Sequence, residues 1–251
     1  MIFIVIPAYN EADIIGSTLD SIAQAMAGVA EPWQMVVVDD GSRDNTAAVV
    51  EKAAGRVPVR LIRHEINRGP GEAYRTGLKH VCETAADEDV IFTIEADNTN
   101  DAQIMPAMLQ QLRTGADVVC GSRFAGHGRY EGFPAHRTLL SKGANHLLRR
   151  LFPIQTVTDY TIFFRAYRAA GIKKAFERFG DRFIESAGFV GNAEILIKLR
   201  TLGRLVACEV PLVYRYEHRR GHSHMKVLKN LIEYLRFLRR NWRLRSTPPG
   251  A

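Results

Sequence analysis

An α/β fold with a Rossmann-like, mostly parallel sheet flanked by helices follows from three features of this 251-residue sequence. Short β-branched or apolar runs at residues 2–6, 36–38 and 90–94 alternate with stretches whose apolar residues recur at helical spacing. The connections are short, which is the mark of repeated β-α units. Three of the runs stop abruptly at polar residues: Tyr9-Asn10-Glu11, Asp39-Asp40-Gly41-Ser42 and Glu95-Ala96-Asp97. In open α/β sheets, ligands bind outside the carboxyl ends of the strands, where such residues collect.

Taken in order, residues 2–6 form a first strand, and residues 11–26 form a helix with Ile14, Ile15, Leu19, Ile22 and Met26 on one face. The Val36-Val37-Val38 run is the second strand, a buried one by its composition, and a helix follows over 45–54. Residues 57–62 make a third strand, with Pro58 near its start where proline is tolerated. The loop Asn67-Arg68-Gly69-Pro70-Gly71 leads into a helix over 72–85. A fourth strand at 90–94, a helix at 102–113 and a fifth strand at 117–120 complete the regular part. Residues 124–134 are Gly-rich and polar and read as a loop.

The chain is long enough for one large core, and its 46% hydrophobic and 24% charged residues are ordinary for a globular protein. Cys82, Cys120 and Cys208 are odd in number and widely spaced, which argues for reduced structural thiols in a cytoplasmic setting. The apolar opening lacks a basic leader and is cut short by Pro7, Asn10 and Glu11, unlike a signal segment. No uncharged apolar run reaches the roughly 18 residues of a membrane span. Charge is uneven: residues 196–251 hold 13 Lys and Arg against 3 acids, whereas residues 1–195 hold 21 against 24. A basic C-terminal segment calls for an anionic partner such as phosphate groups or lipid headgroups. It lacks the interleaved aromatics that stack on bases, so nucleic acid is not expected.

Two adjacent acids at a strand end, Asp39 and Asp40, need a donor-rich visitor such as a nucleobase with its ribose. Tyr9 offers a flat face for such a base, although Pro7-Ala8-Tyr9-Asn10-Glu11 also reads as a capped strand-to-helix turn. Gly69 and Gly71 at a helix start let a ligand approach the backbone, or simply make a turn. Glu95 and Asp97, two residues apart in a turn, suit Mg²⁺ or Mn²⁺, which prefer oxygen ligands shared with substrate phosphates.

These motifs, with Asp44, Thr46 and Asn67-Arg68-Gly69, occur in the order and spacing that resemble glycosyltransferase family 2. That resemblance implies the GT-A (nucleotide-diphospho-sugar transferase) fold and inverting transfer from a nucleotide-diphosphate sugar, GDP- or UDP-linked. The later half resembles the branch of dolichyl-phosphate mannosyltransferases and related polyprenyl-phosphate sugar transferases. The carrying residues are Gly121-Ser122-Arg123-Phe124, then Arg137, Ser141 and Asn145, then Asp159 with Phe164-Arg165, and Glu209-Val210-Pro211 before the segment around Gly221. By the resemblance, Pro7, Tyr9, Glu11, Asp39, Asp40, Gly71, Glu95 and Ala96 bind the nucleotide sugar, and Glu95 and Asp97 hold the metal. Asp97, Asp159, Arg219 and Arg220 serve the chemistry. Arg123, Arg137, Ser141, Ser223 and Lys226 meet the phosphate of a polyprenyl phosphate acceptor. Three departures stand out: Glu95 in place of Asp, Phe163 in place of Gly, and His224 in place of Lys.

The expected organisation is a catalytic domain over 1–222, a basic amphipathic helix over 223–244 and a flexible tail over 245–251. Met225, Leu228, Leu231, Ile232, Leu235, Leu238 and Trp242 form the helix's apolar stripe. It suits either the inner surface of a membrane or packing on the domain. His218, His222 and His224 lie among arginines at spacings that fit phosphate recognition better than zinc. A lipid-phosphate acceptor needs no general base, whereas a hydroxyl acceptor on a glycan or small molecule needs one, for which Asp159 is the candidate. Binding of a sugar nucleotide without turnover is the remaining alternative.

Overall fold

The computed structural model describes residues 1–218 and 227–246. Its strands are β1 (Ile2–Ala8), β2 (Trp33–Asp39), β3 (Val59–Arg63), β4 (Val90–Thr93), β5 (Val118–Ser122), β6 (Arg129–Glu131), β7 (Arg165–Arg168), β8 (Ala207–Pro211) and β9 (Val213–Arg215). Its α-helices are α1 (Ile15–Met26), α2 (Thr46–Ala53), α3 (Pro70–Cys82), α4 (Met105–Arg113), α5 (Ala135–Leu151), α6 (Ala169–Phe179), α7 (Gly191–Arg200) and α8 (Val227–Asn241). Seven strands form the main sheet in the order β3-β2-β1-β4-β7-β5-β8, and β6 pairs with β9 in a small second sheet. All main-sheet pairings are parallel except those of β7, which runs antiparallel between β4 and β5. That strand was not foreseen, because nothing local in Arg165-Ala166-Tyr167-Arg168 announces its direction.

Alternation along β1 splits the core in two. Phe3 and Val5 face a cluster built with α3, α5, α6, α7 and α8, while Ile2, Ile4 and Ile6 face one built with α1, α2 and α4. Every residue of α7 is buried, so this helix is enclosed by protein rather than half exposed. Its Lys198 is neutralised there by Glu194 at 2.7 Å.

The first helix starts four residues later than its apolar spacing alone implies. Residues 10–12 are instead tied to the loop after β2. Ser42 Oγ accepts the Asn10 N–H (2.9 Å), Thr46 Oγ1 accepts that of Glu11 (2.9 Å), and Asp44 accepts that of Ala12 (3.1 Å). Asn10 is left-handed, and its side chain accepts the Arg43 N–H in return. Gly41, at φ 70°, lies so close to Ile66 that a Cβ would stand 2.5 Å from its carbonyl carbon. The residues following the acid pair therefore lock two strand-end loops side by side. Because β2 and β4 flank β1 on opposite sides, this is also where the chain reverses its winding, the usual site of a ligand crevice.

Candidate active site

A cavity of about 310 Å³ opens at this edge. Pro7 reaches it from the last residues of β1, Tyr9 and Glu11 from the turn that follows, Asp40 from the end of β2, and Glu95, Ala96 and Asp97 from the end of β4. Its far wall comes from chain segments remote in sequence: Tyr74, Phe163, Ala187-Gly188-Phe189, and Asn230 and Glu233 of α8.

Asp40 is 2% exposed and saturated with donors. Its Oδ1 accepts the Arg68 N–H (2.9 Å) and the His64 Nδ1–H (2.7 Å), and its Oδ2 accepts the Gly69 N–H (2.7 Å). The carboxylate can only accept, so the ring proton lies on Nδ1, and Nε2 faces Thr76 Oγ1 at 3.0 Å. Asp40 thus shapes the Asn67-Arg68-Gly69 wall. Asp39, its neighbour, caps the loop through the Ser42 N–H (3.0 Å) and lies 3.9 Å from Arg63, off the cavity wall. Strand alternation sends successive side chains to opposite faces, so Asp40 stands on the cavity wall and Asp39 against the Ser42 loop.

The acidic turn is braced from below. Thr18 donates to the Ala96 carbonyl (2.6 Å), Thr99 donates through Oγ1 to Asp97 (2.6 Å), and Asn100 donates to Glu95 (3.1 Å). Asp97 is buried and Glu95 half-buried. The Tyr74 hydroxyl lies buried on the same wall with no hydrogen-bond partner among the described residues. Burial, reinforced by the charges of Glu95 and Asp97, pushes its pKa well above the usual phenol range. It stays a protonated phenol, with its ring stacked on Phe163 at 4.3 Å. The Phe that replaces the expected glycine is therefore a wall residue. Gly71 does not line the cavity. A Cβ there would collide with the Ser186 carbonyl oxygen, and its N–H donates to the Ala187 carbonyl (2.7 Å), so Gly71 admits the wall loop.

Asp159 and Arg123 lie elsewhere. Arg123 Nε and Nη2 grip the two Asp159 oxygens at 2.7 and 2.6 Å, with Asp159 0% and Arg123 7% exposed. Burial pushes the Asp159 pKa up, but the Arg123 charge and hydrogen bonds outweigh it and hold the carboxyl below its ordinary value. Arg123 also lies 4.8 Å from the Tyr130 ring centroid. Asp159, the expected candidate for a general base, has both oxygens engaged by Arg123 and is fully buried. Arg123 is likewise a buried partner, not a group on the cavity wall. Ser141 accepts from the Tyr130 hydroxyl (2.9 Å) and meets Thr161, while Arg137 donates to the Tyr216 hydroxyl (3.1 Å) beside this cluster. Arg219, Arg220, Ser223 and Lys226, with His222 and His224, lie outside the described residues, as does the tail beyond Ser246.

Helix α8 differs from its sequence pattern. Phe237 and Asn241 are buried, whereas Leu231, Ile232, Leu235 and Trp242 are exposed, so four of the five described residues of the expected apolar stripe face outward. Helix α5 repeats this with exposed Leu139, Leu140 and Leu147. Phe152, just after α5, packs against Phe237 (5.9 Å between ring centroids).

The family model for glycosyl transferase family 2 matches residues 3–176. The chain belongs to that family. It is 31% identical over 238 residues to dolichol-phosphate mannosyltransferase of Pyrococcus furiosus, covering 94% of this chain and 62% of that protein. It is also 31% identical over 222 residues to undecaprenyl-phosphate mannosyltransferase of Micrococcus luteus, covering 88% and 86%. The chain thus spans less than two thirds of the first of these relatives. Among solved structures, glucosyl-3-phosphoglycerate synthase from Mycobacterium tuberculosis, in complex with Mn²⁺, UDP-glucose and phosphoglyceric acid, superposes with a TM-score of 0.66 at 20% identity. That match covers 99% of this chain and 80% of the other. Together with the mostly parallel sheet it establishes the GT-A fold for this family member. Tyr74, the 187–189 loop and Glu233 had no motif to mark them and are grouped by the cavity, while His64, equally unmarked, joins through Asp40.

Proposed function

We propose that this chain is an inverting glycosyltransferase that moves a hexose of the mannose or glucose type from a nucleotide-diphosphate sugar to a polyprenyl phosphate. The observation that carries the reading is the convergence of Tyr9, Asp40, Glu95 and Asp97 on one cavity at the strand ends. Two named relatives act, by their names, on dolichol phosphate and undecaprenyl phosphate.

Glu95 and Asp97 fit a divalent ion. They are hard oxygen donors in one turn on the cavity wall. Mg²⁺ and Mn²⁺ typically take one or two carboxylates and fill the remaining positions with water and substrate phosphates. When bound, such an ion offsets the negative charge that builds on the departing diphosphate. The chain's own residues do the rest. Tyr9 stacks the base, Asp40 holds the Asn67–Gly69 wall against it, and Thr99 fixes the Asp97 carboxylate toward its task. With Asp159 sealed in its ion pair, the carboxylate offered as a base for a hydroxyl acceptor is gone. A phosphate acceptor, already anionic at neutral pH, needs none. Arg137 and Ser141 are its proposed partners on the α5 side, together with the basic 219–226 segment.

No helix among the described residues is long and apolar enough to cross a membrane. The exposed leucines of α5 and α8, set among Lys142, Arg149, Arg236 and Arg239, suit attachment to an anionic lipid surface. The reading is tested by incubating the chain with UDP-glucose or GDP-mannose, Mn²⁺ and a short polyprenyl phosphate. Formation of a glycosylated lipid phosphate is expected. Release of nucleotide only in the presence of a hydroxyl acceptor would replace the lipid-phosphate reading.

A further inference from the structure

We infer that Glu233 of α8 reads the hexose: its carboxylate accepts hydrogen bonds from hydroxyls of the sugar half of the donor. The inference rests on the cavity being a sugar-nucleotide site. Four observations lead to it.

Glu233 stands on the cavity wall, more than 130 residues beyond the last acid of the strand-end motifs. Room for it exists because residue 188 has no side chain. A Cβ on Gly188 would stand 2.8 Å from the Glu233 Cδ and 2.9 Å from Oε1, and closer still to Oε2. Gly188 itself lines the cavity, so the carboxylate is seated at its surface. Among the described residues, no hydrogen bond or ion pair engages Glu233. This contrasts with Asp40, whose oxygens take three donors.

Chemistry selects the ligand group. A carboxylate only accepts, and without a cation between them it repels a diphosphate, so Glu233 belongs beside neutral hydroxyls. The base is provided for by Tyr9 and the ends of β1 and β2, and the diphosphate by the divalent ion that Glu95 and Asp97 would hold. Glu233 lies on the remaining wall with Phe189, whose ring is 6.4 Å from that of Phe163. An apolar ring beside an acceptor is the surface a hexose fits, with a C–H face for the aromatic and hydroxyls for the carboxylate.

Calorimetric titration of the full chain in MnCl₂ separates the possibilities, using UDP, GDP, UDP-glucose and GDP-mannose. Glu233→Gln keeps the shape and removes the charge. It should weaken the sugar nucleotide that the wild type prefers by about tenfold or more, as expected for hydrogen bonds to a charged group. The matching nucleoside diphosphate should bind within about twofold of wild type by the same reasoning. Gly188→Ala, which fills the seat of the carboxylate, should show the same split. Equal weakening of both ligands would mean that Glu233 reads the ribose or supports α8, and unchanged binding of both would mean that it reads nothing; either result overturns the inference. A wild-type chain that binds none of the four ligands overturns the donor-site reading itself, which is a different failure.

Discussion

Asp40, just after β2, and Asp159, in the connection from α5 to β7, are both buried acids in loops, yet the fold uses them in opposite ways. Asp40 is held by two backbone N–H groups and the His64 ring, and remains on the wall of the cavity. Asp159 meets a guanidinium through both oxygens and is sealed from solvent. The difference teaches that a motif carboxylate held by backbone donors shapes a cavity wall without offering its own oxygens to the ligand. A carboxylate given a full opposing charge becomes a strut.

Stability is where the contrast should be largest. Asp159→Ala leaves Arg123 charged and unpaired in the interior, and a loss of about 3–5 kcal/mol is expected by thermal or urea unfolding. Replacing Arg123 as well should recover much of that loss. The sign with pH follows from the depressed carboxyl. Its stabilisation is complete above the ordinary aspartate range and disappears as pH falls through the lower folded-state value. Asp159→Asn should therefore flatten the acid limb of the wild-type stability curve. Similar sensitivity in Asp40→Asn would erase the distinction between strut and wall.

In catalysis the order reverses. Asp97→Ala should lower the transfer rate by about a hundredfold or more, the scale of losing one preorganised electrostatic group, with little change in melting temperature. Near-normal turnover in that variant would remove the acidic turn from the chemistry. His64→Gln should act at one remove by loosening Asp40 and the Arg68-Gly69 backbone. An increase of about tenfold in the donor KM, with kcat nearly constant, is the expected signature of lost ground-state binding.

The smallest effect concerns the unpartnered phenol. Tyr74→Phe removes a buried hydroxyl that makes no hydrogen bond among the described residues. It should stabilise the ligand-free chain by about 1 kcal/mol, a rise of about 2–4 °C in Tm. A fall in Tm would show that the hydroxyl has a partner after all.

Much of the first half was legible because its signals are local. The residues of Asp39-Asp40-Gly41-Ser42 and of Glu95-Ala96-Asp97 follow β-branched runs directly, so their place at the sheet edge follows from strand length alone. The second half was harder. The period of α8 marks apolar residues without telling which of them meet the core, and Phe237 took that role while Leu231 and Leu235 turned outward. The antiparallel strand β7 and the sealing of Asp159 carry no local mark either.

The sequence by itself determined the alternating architecture, the strand-end acids and their chemical character, because each depends on residues a few positions apart. Only the tertiary structure decided which acids share a cavity, which are neutralised, and that a glycine at 188 seats a glutamate at 233. Those outcomes depend on distances between segments far apart along the chain, which side-chain packing sets and no local pattern encodes.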